Sequence, residues 1–218
     1  MASILHKRKA ADPSASDLTV GELAINTSDG GLFTKTSGGS VVEVGSGGGG
    51  GVTSDSYRNT LGGTNAGDSI DGSNSTIDNT FFGYDAGTDI TDGTKNTFVG
   101  SYAGSNTNSG TYLNTFVGYQ AGQNNGNGHQ NVGIGYAALL VNEAWSNVAV
   151  GNNAGEDNTS GTKNVFLGRN AAMNNTTASN IVAIGHEALK SNVTIGNQTA
   201  IGYQASRSHN GTSIEPNT

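Results

Sequence analysis

Apolar residues in this chain come in short adjacent pairs, and almost every pair runs into the same glycine. From residue 59 onward the phrase reads Asn, Thr or Val, two mostly apolar residues, Gly, two variable residues, Ala, and often a second Gly, as in Asn114-Thr-Phe-Val-Gly-Tyr-Gln-Ala-Gly122. Its glycines are Gly63, Gly83, Gly100, Gly118, Gly135, Gly151, Gly168, Gly185 and Gly202, at intervals of 20, 17, 18, 17, 16, 17, 17 and 17 residues. An alanine follows each by three positions, from Ala66 to Ala205. A fixed period this short predicts a stack of similar coils, each a unit that cannot bury its apolar face alone. Thr, Val, Phe and Ile favour strand, and the Asn/Gly/Ser spacers favour turns. Each coil is therefore expected to hold one strong strand, a second weaker one and a polar loop. About nine coils over residues 59–206 span on the order of 40 Å at strand spacing.

Neighbours on a strand point to opposite faces, so two adjacent apolar residues cannot both enter one coil. One set faces inward; the other needs a different cover, and further copies of the chain are the simplest. Phe82, Val99, Val117, Ile134, Val150, Leu167, Ile184 and Ile201 are expected at the roll core or at such a contact between copies. The two prolines, Pro13 and Pro216, both lie outside the array, as stacked strands that need every N–H require. Helix is disfavoured by the glycine density. The least regular stretch, Ala137 to Trp145, is expected to be a larger inter-coil loop with apolar plugs.

The first 58 residues read differently. Residues 1–17 form an arm with an apolar pair, Ile4 and Leu5, and three basic residues, Lys7, Arg8 and Lys9. Residues 18–45 predict a three-stranded meander: Leu18–Asn26, Leu32–Lys35 and Val41–Val44, with turns at Asp29-Gly-Gly31 and Ser37-Gly-Gly39. It is too small to be stable without a docking surface or further copies. Residues 46–58, rich in glycine, are expected to be a flexible linker, and residues 207–218 a polar tail.

Composition narrows the class. Hydrophobic residues are only 33% of 218, but that figure omits 35 glycines, and the strict placement of the apolar residues argues against disorder over residues 59–206. There is no cysteine and so no disulfide or thiolate site. No run approaches the ~20 apolar residues of a membrane span. A net charge of −7 argues against nucleic acid as a main partner.

Candidate chemistry is sparse. Asp85, Asp89 and Asp92 suggest either a Ca²⁺ loop or, more in keeping with their surroundings, a solvated loop with Asx turns. His129 and His186 would be triplicated by a threefold axis, where imidazoles can bind metal; exposed loop histidines are the simpler reading. Tyr84, Tyr119, Tyr136 and Tyr203 follow a repeat glycine and are expected to form an aromatic ladder, which either stiffens the coil or binds sugar. No catalytic set and no cofactor motif emerges, so an enzyme is not expected.

The phrases Asn131-Val-Gly-Ile-Gly-Tyr-Ala-Ala138, Asn147-Val-Ala-Val-Gly-Asn-Asn-Ala154 and Thr199-Ala-Ile-Gly-Tyr-Gln-Ala205 resemble the head repeats of trimeric autotransporter adhesins. That resemblance implies a left-handed parallel β-roll in a tight homotrimer. Asn96-Thr-Phe-Val-Gly-Ser-Tyr-Ala-Gly104 looks more like the form common in bacteriophage tail fibres, and Leu18-Thr-Val-Gly-Glu-Leu-Ala-Ile-Asn26 with Asp29 to Lys35 is similar to the start of many phage fibre proteins. The polar C-terminus and the lack of an apolar run after Lys9 favour a virion over a bacterial surface. The expectation is an all-β, homotrimeric phage fibre: tail fibre first, capsid head fibre as the alternative, bacterial trimeric adhesin as a further one. Ile4, Leu5, Lys7, Arg8, Lys9, Leu23, Ile25 and Phe33 would bind other virion proteins. A host surface glycan is a further candidate partner; membrane insertion is not expected.

Overall fold

The computed structural model describes residues 6–9, 14–16, 18–26, 32–35, 37–43, 52–70, 76–107 and 110–207. It divides into two compact units, Met1–Gly51 and Val52–Thr218. All regular structure in the described residues is strand.

The first unit holds a four-stranded sheet in chain order. Strands β2 (Leu23–Asn26), β3 (Leu32–Lys35) and β4 (Val41–Glu43) form the expected antiparallel meander. A fourth strand, β1 (His6–Lys9), lies parallel to β2. The arm therefore supplies a strand that its basic composition does not advertise. Leu18, Ala24 and Phe33 make a small core with Val41 packed against it.

The second unit is a β-solenoid. Nine three-residue strands stack in parallel and in register: β6 (Thr60–Gly62), β7 (Thr80–Phe82), β9 (Thr97–Val99), β11 (Thr115–Val117), β12 (Val132–Ile134), β13 (Val148–Val150), β14 (Val165–Leu167), β15 (Val182–Ile184) and β16 (Thr199–Ile201). Strand β5 (Val52–Ser54) pairs antiparallel with β6 and covers the first edge. Residues 52–58, assigned to the linker by composition, thus belong to the solenoid unit; the glycine tract 45–51 lies outside the described residues. The expected second strand shrinks to the pair β8 (Gly93–Thr94) and β10 (Thr111–Tyr112) and a few isolated bridges.

The middle residue of each strand faces inward. Phe81, Phe98, Phe116, Ala149, Phe166 and Ala183 are fully buried. Phe81, Phe98 and Phe116 stack with ring centroids 5.0 and 5.1 Å apart. The phrase alanines, Ala86 through Ala188, close the other side of the same core. Complete burial of each Phe contributes about 1.5–3 kcal/mol.

The repeat glycines sit where the coils touch backbone to backbone. Their φ angles lie between 117° and 140°. A β-carbon on Gly83 would stand 2.5 Å from the carbonyl oxygen of Gly100, and one on Gly151 2.5 Å from that of Gly168. From Gly83 to Gly202 each glycine N–H also donates one coil back, as Gly135 does to Val117 O at 2.8 Å. From Gly63 to Gly185 no side chain fits this column.

The phrase asparagines are internal. Asn59, Asn79, Asn96, Asn114, Asn131, Asn147 and Asn164 are buried in one column. Each Oδ1 accepts the backbone N–H of the next member, as Asn114 Oδ1 does from Asn131 N at 3.0 Å, while Asn114 Nδ2 donates across the coil to Gly128 O at 2.9 Å. Ile181 N–H takes the last acceptor, Asn164 Oδ1, at 2.9 Å. At the first coil Asp55 replaces a preceding Asn, accepting from Asn59 N and Tyr57 N at 2.9 Å each and from Asn59 Nδ2 at 2.8 Å. Burial raises the Asp55 pKa, but the donors from Asn59 and Tyr57 outweigh it and hold the carboxyl below its ordinary value. A second buried column runs Asn125, Asn142, Asn158 and Asn175, with amide-to-amide bonds of 2.9, 2.8 and 2.6 Å. Side-chain amides thus satisfy interior polar groups that a coil this thin cannot satisfy with backbone alone.

Corners use the left-handed backbone region without demanding glycine or asparagine. Lys95, Tyr102, Leu113, Leu139 and Leu189 all have φ between 50° and 61°. Leu139, in the stretch expected to be a loop with plugs, enters the core.

Candidate functional site

Each solenoid strand turns its first and third residues outward. The third-position column, paired in register, is Phe82, Val99, Val117, Ile134, Val150, Leu167, Ile184 and Ile201. These residues do not line the coil interior, which corrects the roll-core half of the expectation: the inward set is the middle-position Phe and Ala column. Phe82 is 46% exposed and Ile201 66%. The first-position column is Thr80, Thr97 and Thr115, then Val132, Val148, Val165 and Val182. From β12 to β15 both outward columns are apolar. A continuous apolar strip of this kind is a candidate contact surface. The strip ends at β16, the last strand of the sheet, where Gly202 has no glycine beneath it.

A second surface feature is aromatic. Tyr84, Tyr102, Tyr119 and Tyr136 form a ladder with centroids 5.4, 5.9 and 5.7 Å apart. Tyr102 stands one position later than the tyrosines expected to form it and bridges the gap at Ser101. Tyr203 is not part of this ladder. Asn152 and Arg169 interrupt the column, and Tyr203 stacks on His186 at 5.4 Å. Burial first, then the neighbouring Tyr84 and Asp85, raises the Tyr102 pKa above the ordinary phenol value. On another face Tyr112, His129 and Trp145 form a shorter run, with centroids 4.6 and 5.4 Å apart.

The histidines have local partners. His129 Nδ1 lies 3.2 Å from Asn127 O, and His186 Nε2 lies 3.3 Å from Arg169 Nη1. Asp85 and Asp89 border one surface cavity, and Asp92 is not among its lining residues. Among the described residues no three His, Asp or Glu side chains gather as a metal site.

One ionic cluster closes the far end of the solenoid. Glu187 Oε1 accepts from Lys190 Nζ at 2.8 Å, and Oε2 from Gln204 Nε2 at 2.9 Å and Arg207 Nε at 3.0 Å. The Lys190 bond, then those partners, lower the Glu187 pKa to about 2. Sequence reading missed this cluster because, although Lys190 is only three residues from Glu187, Gln204 and Arg207 are 17 and 20 residues away and meet it only through the coil period.

In the first unit, Phe33 is buried in the small core, so of the expected attachment residues in β2 and β3 only Leu23 and Ile25 are half-exposed. Lys7, Arg8 and Lys9 lie opposite Ala24, Ile25 and Asn26 in the β1–β2 pair. Ile4 and Leu5 lie outside the described residues, as does the tail beyond residue 207. No helix in the described residues is long and apolar enough to cross a membrane. No family model, curated protein or solved structure matches the chain.

Proposed function

We propose that this chain is a structural fibre protein that works as a homotrimer, its solenoids packed through the outward apolar column. The observation that carries the reading is that column: eight in-register apolar residues, of which Phe82, Ile134, Leu167 and Ile201 are exposed and Val99, Val117, Val150 and Ile184 half-buried in the single chain, so that covering each contributes up to about 1.5–3 kcal/mol. A cyclic assembly about an axis along the coil stack covers the same strip on every copy. The N-terminal sheet supplies a separate unit for attachment, with Leu23 and Ile25 as candidate contacts.

The placement on a phage particle rests on the resemblance of residues 18–35 and of the Asn-Thr-Phe-Val-Gly phrase to phage fibres. Host adhesion through a tail fibre is the leading role. The test is immunogold labelling of purified particles with an antibody to residues 76–207, alongside mass spectrometry of the same particles. Label on thin fibres supports the reading, and its position on tail or capsid selects the role. Absence of the chain from purified particles contradicts it.

A further inference from the structure

We infer that the solenoid carries a saccharide-binding pocket on one corner, built by three consecutive coils of a single chain. It therefore stands or falls independently of the proposed trimer. The cavity holds about 150 Å³, and Asp85, Asp89, Tyr102, Ser105, Asn106 and Gln123 are the lining residues that matter. The coil period brings them together: Asp85 and Asp89 follow Gly83, Tyr102, Ser105 and Asn106 follow Gly100, and Gln123 follows Gly118.

Three observations point to a ligand rich in hydroxyls. The Ser105 side-chain oxygen is buried without a hydrogen-bond partner, in a residue only 4% exposed, at the edge of this cavity. A buried hydroxyl left unpaired costs free energy, and a ligand hydroxyl reaching it removes that cost. The lining has two carboxylates and no basic side chain. It can accept hydrogen bonds from ligand O–H groups, while Asn106 and Gln123 offer amide donors. Asp85 Oδ1 already accepts from Asn65 Nδ2 at 2.8 Å, which fixes the direction of its second oxygen. One wall is Tyr102, a rung of the exposed ladder of Tyr84, Tyr119 and Tyr136. The C–H face of a pyranose packs on the electron-rich face of such rings. Tyr102 stands edge-on to both Tyr84 and Tyr119, at 73° and 84°, so the sugar contact rests on the Tyr102 ring itself rather than on a continuous platform.

The lining is not imposed by the repeat. At the places held by Gln123 and Asn124 in one coil, the next coil has Leu140 and Val141. The polar corner ends there. A bare cation is the rival occupant, but only two acidic residues line the cavity.

The probes are soluble β-linked tetrasaccharides of glucose, N-acetylglucosamine, xylose and mannose, read by saturation-transfer-difference NMR on the full chain, with CaCl₂ alone titrated by calorimetry. The variants are Tyr102→Asn and Asp89→Asn. Asn already occupies the equivalent corner at Asn65, Asn153 and Asn170 with φ of 54° to 57°, so Tyr102→Asn keeps the coil. Circular dichroism checks this in both variants. At least one tetrasaccharide is expected to bind the wild type, and each variant weakens it about tenfold or more, while Tyr203→Asn leaves it unchanged. Three results overturn the inference: no tetrasaccharide binds, binding survives both substitutions, or Ca²⁺ binds and is lost in Asp89→Asn with no saccharide signal.

Discussion

Gly87 lies under the ring of Phe81, so close that a β-carbon on it would stand 2.9 Å from the ring's Cδ2 atom. The same pairing recurs as Phe98 with Gly104 and Phe116 with Gly122. Elsewhere it is reversed: Gly133 shares its coil with Leu139, and Ala183 with Leu189, both leucines fully buried. In these five coils bulk is traded between the strand and the corner that faces it; in the β13 coil both are small, Ala149 and Gly155, and Phe166 and Leu139 of the neighbouring coils fill the space. Leu139, Ala172 and Leu189 adopt the same corner with φ of 46° to 52°. The corner glycine is thus required for space rather than for backbone freedom.

Gly122→Leu is expected to destabilise the solenoid by about 1–3 kcal/mol or more through overpacking against Phe116. Adding Phe116→Gly reproduces the arrangement of Gly133 and Leu139 and recovers a large part of the loss. A double-mutant cycle by denaturant unfolding checks it; simple additivity of the two changes contradicts the volume exchange.

The repeat glycines make a sharper contrast. Gly151→Ala meets the Gly168 carbonyl oxygen, whereas the nearest atom to a β-carbon on Gly202 is Ala205 Cβ at 3.9 Å. Gly202→Ala carries only the backbone strain of positive φ, about 1–3 kcal/mol. Gly151→Ala forces neighbouring coils apart as well and is expected to be much worse. Thermal midpoints of the two variants decide.

Asn114→Ala leaves the Asn131 N–H without its partner inside the coil, while the Gly128 carbonyl keeps only Asn125 Nδ2. The expected loss is about 1–3 kcal/mol. Asn106→Ala removes only an exposed amide bond to Asn124 and is expected to cost within about 0.5 kcal/mol. Equal effects at the two sites would count against the internal ladder.

Glu187 gives a pH signature. Its pKa is about 2 in the folded chain against an ordinary 4.5. A lowered folded pKa means the contribution is present above pH 4.5 and is lost as pH falls from 4.5 toward 2. Glu187→Gln is expected to flatten the acid limb of thermal stability over that window. An unchanged acid limb in the variant would show that Glu187 is not the group responsible.

The stack of coils was legible because the Gly and Ala positions recur with near-constant spacing, and spacing survives in sequence. The alternation of inner and outer apolar residues was legible too, since strand geometry forces it. Which of the pair points inward was not, because Phe81 and Phe82 are equally apolar; neighbouring Gly87 is the signal that could have decided it. The role of the buried asparagines was not legible either, because Asn usually favours turns. Their position four residues before each glycine, one before the strand, was the clue to a column. The tyrosine pocket joins residues from three coils, none informative alone.

Sedimentation equilibrium of the full chain, beside Val117→Asp with Ile184→Asp, addresses the central claim most directly. The outward column predicts a wild-type mass three times the 22.0 kDa of one chain, and monomers or aggregates for the doubly substituted protein. A folded wild-type monomer, or an unchanged trimer after both substitutions, would contradict it.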